Sequence, residues 1–251
     1  MTTTRSTESA TAFTPPGPER NLLLAMIAAN HPEVHKQLVG RLESTKLELE
    51  KVLYDVDVPI SHVYFPEDGL ASIVRIMRDG RTVEVGTVGR EGMTGVPVFL
   101  GASHAAGRCF VQVRGAGKRI EADVFRELIA ADGPLRALTM RYALYFYDQV
   151  AQSVACNRLH SIEQRCARWL LMSADRVGSD EFDLTQRFLA FMLGVRRPGV
   201  TVAEGILRDA GLITYHRGRV TILDRAGLEA TACECYGVDR ADYDRLLGDG
   251  Q

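Results

Sequence analysis

Between Leu135 and Val177 the chain carries forty-three consecutive residues without a glycine or a proline. Gly133-Pro134 precedes the run and Gly178 follows it. Nothing inside the run favours a turn, so it must be mostly helix, with one break expected between Asn157 and Ser161. Pro134 suits a first helical turn, where its missing N–H removes no hydrogen bond. The first half is apolar on two faces. Leu135, Leu138, Tyr142 and Tyr145 line one; Met140, Ala143, Leu144, Tyr147, Val150, Ala151 and Val154 line the other. A helix apolar on two sides needs two partners. One is the chain's own remaining structure. The other is either more of the same chain, giving a wholly buried core helix, or a second copy of this helix, as in a two-stranded coiled coil.

The segments before this helix read differently. Residues 20 to about 50 look helical, with Leu22, Leu23, Met26, Ile27, Leu38, Val39 and Leu42 at three- and four-residue steps. His31-Pro32 should divide this stretch into two helices. From 52 to about 123 the chain turns to short runs rich in β-branched and aromatic residues: VLYDVDVPI, HVYF, LASIVRIM, TVEVGTV and RCFVQVR. Asp79-Gly80, between Ile76-Met77 and Val83-Glu84-Val85, is a hairpin signal. Strands this short with turns this close predict an antiparallel β-barrel or jelly roll, not βαβ units. The first nineteen residues, rich in Thr, Ser and Pro, read as a disordered tail with no apolar core of a secretory signal.

Composition narrows the class without naming it. The 251 residues carry a net charge of −2, with 46% hydrophobic and 25% charged residues, as in ordinary soluble proteins. No stretch reaches the roughly 20 apolar residues that span a bilayer. Five scattered cysteines without a signal segment suit reduced thiols in the cytoplasm. Cys233-Glu234-Cys235 is the one close pair. By itself it lacks the paired spacing of a four-ligand zinc site, so plain thiols and no metal are expected there.

Residues 184 to 223 carry the most specific pattern. Thr185 can cap a short helix with Phe188, Leu189 and Met192 facing inward. Gly194 supplies a tight turn and Pro198 opens a second helix, whose buried stripe is expected to be Val202, Ile206 and Leu207. Gly211 suits the position just past its end. LITYH and RVTIL then flank Arg217-Gly218, a two-residue hairpin turn. Helix, glycine turn, helix and hairpin make a winged helix-turn-helix. From 196 to 219 there are five arginines (196, 197, 208, 217 and 219) against Glu204 and Asp209. Arg196 and Arg197 start the second helix, the end that reaches base edges in such modules, with Thr201 just beyond. An arginine there can bridge guanine O6 and N7 with two hydrogen bonds. Thr185, Gln186, His216, Arg217 and Arg219 are placed to meet phosphates.

A small β-barrel, a long helix and a winged helix-turn-helix together resemble the Crp/Fnr family of bacterial transcription regulators. TQRFLAFMLGVRRPGVTVAEGILRDAGLI is similar to the family's helix-turn-helix, and DGRTVEVGTVGREGMTG to the turn-rich part of its cyclic-nucleotide-binding-like domain. The resemblance implies an α+β protein with a disordered tail over 1–19, a β-barrel sensor domain over 20–133, a dimerisation helix over 134–157 and a DNA-binding domain with an acidic tail over 158–251. It implies a cytoplasmic homodimer joined through Leu138, Tyr142, Tyr145, Tyr147, Val150 and Val154. The partners it implies are double-stranded DNA with a palindromic operator, the second copy, and RNA polymerase; no membrane is involved. An effector pocket would fall near Val85, Gly95, Val96, Arg108 and Val150.

The chain departs from the cyclic-AMP pattern. Val96 follows Gly95 where the ribose-binding Glu is expected, and Cys109-Phe110 follows Arg108 in place of Ser-Ala. Val150 and Ala151 stand near the expected hydroxyl pair of the long helix. Tight cyclic-AMP binding is therefore not expected. The N-terminal cysteines of iron–sulfur members are absent, and His62 and His104 read as surface residues rather than haem ligands, so no cofactor is expected. No catalytic residue is expected either. GTVGREGMTG fits neither G-x-G-x-x-G nor G-x-x-x-x-G-K-[ST], and Glu84 and Glu91 read as separated surface carboxylates. Two readings remain: a sequence-specific DNA-binding regulator, and a protein-interaction regulator that uses the same fold. The tail from Asp224 has seven acids against three arginines, and its segment DRAGLEATACECYG reads as a short helix beside the wing.

Overall fold

The structure, a computed structural model, describes residues 19–248. The tail expected over 1–19 lies outside the described residues except for Glu19. That residue is buried and accepts a hydrogen bond from Lys118 Nζ at 2.6 Å.

Asn21 starts the first helix, α1 (Leu22–Asn30), by accepting from the Leu24 N–H, while its amide donates to the Pro66 and Gly92 carbonyls at 2.8 Å. His31-Pro32 ends it and opens α2 (Pro32–Val39), as the sequence predicts. The helical reading to residue 50 runs too far, because β1 (Glu43–Leu47) is already a strand. Only Leu47 of that segment is buried, so hydrophobic period could not mark it.

The sheet domain continues with β2 (Val52–Tyr54), β3 (His62–Pro66), β4 (Leu70–Ile76) and β5 (Thr82–Val88). A four-residue helix, α3 (Val96–Phe99), precedes β6 (Arg108–Val113), β7 (Gly115–Glu121) and α4 (Ala122–Ala131). Two sheets form, in the orders β1-β7-β3 and β2-β6-β4-β5, and every strand pair is antiparallel. Residues of both sheets, among them Leu47, Val63, Phe65, Ala71, Val88 and Val111, share one apolar core, as a jelly roll requires. The Asp79-Gly80 hairpin forms as expected, with Gly80 at φ 80° and the Met77 N–H donating to the Arg81 carbonyl at 2.7 Å.

The long glycine-free run becomes α5 (Gly133–Leu159) and α6 (Ile162–Val177), broken at His160-Ser161 within the expected window. Ser161 and Gln164 cap α6 reciprocally, which fixes the break. Leu135, Leu138, Tyr142 and Tyr145 are buried in the sheet-domain core. Among the described residues nothing covers the opposite face of α5: Met140, Leu144, Tyr147 and Val154 are exposed, the last two at 68% each.

The C-terminal part holds β8 (Glu181–Asp183), α7 (Gln186–Met192), α8 (Arg197–Asp209), β9 (Ile213–His216), β10 (Arg219–Ile222), α9 (Arg225–Thr231) and α10 (Cys235–Leu247). The short helix expected within DRAGLEATACECYG is α9, whose Leu228 packs with Leu212 and Ile213 of the C-terminal core; a second helix, α10, follows, starting in that core at Tyr236 and then running away from the wing. It packs along α5, with Tyr243 edge-on to Tyr145 at 5.2 Å between ring centres and Leu247 in the sheet-domain core. A boundary that places all of 158–251 in the DNA-binding part therefore does not describe α10.

The two halves are joined by burial and by charge. Leu70 and Val113 of the sheet domain sit in the core of the C-terminal part, and Phe110 stacks on Phe188 at 6.2 Å. Arg176 of α6 is buried between Glu91, with Nε to Oε1 at 3.1 Å, and Asp239 of α10 at 3.8 Å. It also donates to Tyr145 Oη at 3.3 Å and to Thr87. Gly89 lies against this residue: a Cβ there would sit 2.5 Å from Arg176 Cβ, so only glycine allows the approach.

Candidate nucleic-acid interface

Thr185 caps α7 through the Phe188 N–H at 3.2 Å, and Gly194 at φ 61° makes the turn into α8. Arg196 is the N-cap of α8 and Pro198 lies in its first turn, as the sequence predicts. Gly211 ends α8 at φ 74°. The wing is a three-stranded sheet of order β8-β10-β9, because β8 adds to the expected hairpin. Arg217 forms the wing tip with φ 50°, beside Gly218 at 81°.

The buried face of α8 differs from the expected stripe. Val200, Ala203, Glu204 and Leu207 point inward, whereas Val202 and Ile206 are exposed. The i, i+3, i+4, i+7 pattern starting at Val200 was masked by Glu204. That carboxylate is buried and accepts from Gln186 Nε2 at 2.9 Å. The exposed face of α8 thus presents Arg197, Pro198, Thr201, Val202, Ile206 and Arg208.

The arginines divide by what holds them. Arg219 is fixed by Glu181 Oε1 at 2.8 Å and Asp183 Oδ1 at 3.3 Å, both from β8. These acids raise its own pKa, its hydrogen bond to Asp183 first. Arg208 meets Asp209 at 3.4 Å. Among the described residues, no carboxylate pairs with Arg196, Arg197 or Arg217, and all three are exposed. His216 is exposed at the end of β9. Gln186 ties α7 to α8 and is not a free arm for phosphate, and the Thr201 hydroxyl donates to the Arg197 carbonyl at 3.1 Å. Thr185 is exposed, although its hydroxyl already serves the cap.

The interface residues expected on α5 divide too. Leu138, Tyr142 and Tyr145 belong to the chain's own core, and the Tyr142 hydroxyl donates to the Met93 carbonyl at 2.9 Å. They cannot meet a second chain. Val150 is half-buried, and Tyr147 and Val154 are open. The uncovered stripe is Met140, Leu144, Tyr147, Ala151 and Val154, at helical spacing.

The pocket residues are dispersed. Arg108 is held by Asp55 through two hydrogen bonds, Nε to Oδ1 at 3.0 Å and Nη2 to Oδ2 at 2.7 Å. A fork closed on a carboxylate is not poised for a phosphate. Gly95, at φ 81°, leads into α3 beside Val63, and Val96 packs on the sheet-domain core. Val85 lines a cleft where β5, α5, α6 and α7 meet, together with Gln149, Ser153 and Arg168. Its volume of about 40 Å³ holds one or two waters, not a nucleotide. Gly95, Val96, Arg108 and Val150 do not line this cleft.

Glu84 and Glu91 are not surface residues, contrary to the sequence reading. Glu91 is paired with Arg176. Glu84 accepts from Ser72 Oγ at 2.6 Å and Trp169 Nε1 at 3.2 Å, and burial lifts its carboxyl from 4.5 to about 7. His62 and His104 each contact a neighbouring serine near the surface. The cysteines of the tail are not isolated thiols. Cys156 and His160 of the α5 terminus converge with Cys233 and Cys235, and their ligand atoms all lie within 4.8 Å of one another. The clue in the sequence was Cys156 and His160 four residues apart on one helix face, which the Cys-x-Cys pair alone did not reveal.

An antiparallel jelly-roll domain, a long helix and a winged helix-turn-helix with an unpaired arginine end define a class: two-part proteins that carry a DNA-reading module. Residues 164–231 match the Crp-like helix-turn-helix domain. The whole fold is similar to that of FixK2 from Bradyrhizobium japonicum, at 13% identity and a TM-score of 0.66 over 76% of this chain and 98% of that one. It is similar to a Crp-family transcriptional regulator from Thermus thermophilus, at 21% identity and a TM-score of 0.62 over 75% and 96%. A Crp/Fnr-family regulator from Eubacterium rectale gives 16% identity and 0.62 over 82% and 96%. No curated protein matches the chain in sequence. The resemblance read from the sequence thus holds for the helix-turn-helix domain and for the fold. Both are shared with proteins described as transcription regulators. No helix among the described residues is long and apolar enough to cross a membrane.

Proposed function

We propose that the chain is a sequence-specific DNA-binding transcription regulator that acts as a homodimer. The observation that carries this reading is the arginine end of α8. Arg196 and Arg197 stand exposed at the start of the helix, without an acidic partner among the described residues, while other arginines of the motif are neutralised. The start of a recognition helix is the part that meets base edges. Thr201 and Val202 lie one turn on, and Val202 offers the apolar contact that a thymine methyl accepts. Arg217 and His216 at the wing reach for flanking phosphates.

The apolar stripe Met140, Leu144, Tyr147, Ala151 and Val154 supports pairing of two α5 helices. Such a dimer presents two α8 helices to half-sites about 34 Å apart, so the operator is a palindrome. The regulator acts on transcription through RNA polymerase, by recruiting or obstructing it. A signal received in the sheet domain would reach the DNA-reading part through the buried Arg176 junction. The Arg108–Asp55 pair makes a cyclic-nucleotide phosphate a poor candidate for that signal.

Exposed Val202 and Ile206 also favour a second reading, in which α8 seats a partner protein. Selection of bound duplexes from a random pool, followed by salt titration, separates the two. An enriched palindrome and a binding constant that falls linearly on logarithmic salt axes are expected. Failure to enrich any sequence overturns direct readout.

A further inference from the structure

We propose that Cys156, His160, Cys233 and Cys235 form a mononuclear zinc site that clamps the end of the long helix to the link between the last two helices.

The geometry carries it. Cys156 and His160 lie one helical turn apart at the end of α5, just before the break into α6. Cys233 comes from the α9–α10 link, 77 residues after Cys156, and Cys235 is the first residue of α10. Cys156 Sγ stands 3.5 Å from Cys233 Sγ, and Cys235 Sγ stands 3.6 Å from His160 Nδ1. With Zn–S near 2.3 Å and Zn–N near 2.0–2.1 Å, a tetrahedron has edges of about 3.8 Å between sulfurs and about 3.6 Å between sulfur and nitrogen. The whole set spans no more than 4.8 Å, which fits one ion and is too tight for an iron–sulfur cluster. Three thiolates and one imidazole are a closed structural donor set, selective for a thiophilic ion over magnesium or calcium.

The surroundings are those of a ligand shell. His160 Nε2 lies 3.1 Å from Glu234 Oε2, so the carboxylate can hold the ring with Nδ1 free for the metal. Gln152 Nε2 donates to Cys235 Sγ at 3.0 Å. Arg168 and Arg165 add positive charge beside the sulfurs. Arg165 also donates to the carbonyl of Leu193, which ends α7 at the turn of the helix-turn-helix. The clamp thus joins the long helix, the last helix and, through Arg165, the turn before α8.

The test is metal analysis of the full chain with zinc and cobalt as probes. About one zinc per chain is expected after purification. Cobalt exchanged into the protein should show thiolate-to-metal charge transfer and the intense visible bands of a tetrahedral site. Cys156→Ser and Cys233→Ser should abolish stoichiometric binding, and Glu234→Ala should weaken it 10- to 100-fold. Cys109→Ser and Cys166→Ser, buried cysteines elsewhere in the fold, should leave it unchanged. Chelation should lower the melting temperature of the wild type and leave that of Cys233→Ser unmoved. A wild-type protein that takes up neither metal, or a cobalt spectrum without thiolate bands, overturns the site. So does full binding by the Cys156→Ser and Cys233→Ser variants. The wild-type cobalt spectrum decides even if a variant fails to fold.

Discussion

Arg219 is held by two acids of its own sheet, while Arg197 has no acidic partner among the described residues. Their removal should therefore have unequal effects. Arg197→Ala should cost about 1–3 kcal/mol at the base it reads and flatten preference there. Arg219→Ala should change DNA affinity by less than about 1 kcal/mol, because it removes an already neutralised charge. Equilibrium binding to the selected operator and its single-base variants checks both. Glu84 gives a prediction of another kind. Its carboxyl titrates near 7 in the fold and near 4.5 when unfolded. The folded state therefore favours the protonated form. Its contribution to stability is full below about 4.5 and is lost as pH rises to about 7, by an amount on the order of 3 kcal/mol. Glu84→Gln cannot ionise, so its stability relative to wild type should rise across that window and level off above it. Parallel unfolding curves at pH 5 and pH 8 would contradict the burial argument. Neither the burial of Glu84 nor its donors was legible in the sequence. A carboxylate flanked by valines in a half-polar strand reads as solvent-facing until Trp169 arrives from 85 residues away.

On α5, two tyrosines five residues apart have opposite settings. Tyr142 is fully buried and bonded to Met93, so Tyr142→Ala should destabilise the monomer by about 3–5 kcal/mol, as truncation of a core aromatic does. Tyr147 is open, so Tyr147→Glu should leave the fold intact and weaken self-association at least 10-fold. Sedimentation equilibrium together with chemical unfolding distinguishes these outcomes. The same helix shows what pattern could and could not tell. The two apolar stripes, the break before Ser161 and the Thr185, Gly194, Pro198 and Gly211 signals were legible because local backbone chemistry sets them. Which stripe faces inward was not, because that depends on where the sheets and α10 lie. β1 and β7 escaped notice for a related reason. Their polar or glycine-rich sequences become strands through the ladder that joins them, not through apolar alternation. The four-residue metal cluster needed the same long-range information.

In the molecule as a whole, the sheet domain and the DNA-reading part meet around Arg176. Removing one partner of a buried ion pair leaves the others uncompensated and costs about 3–5 kcal/mol. Arg176→Ala should therefore lower global stability by about that amount and loosen the junction, since Glu91 and Asp239 would remain buried together. Denaturant unfolding, with limited proteolysis around His160-Ser161 to report the junction, checks this. An unchanged midpoint would show that the pairing contributes little. The return of α10 onto α5 has a consequence for how the chain is made. Leu247 belongs to the core of the domain encoded first, so that core stays unfinished until a residue roughly a hundred positions further along has left the ribosome. The first half of this protein is therefore sealed late, when α10 arrives and closes the domain made before it. A message cut before the codons of α10 yields a chain with an open core, ready for proteolytic clearance.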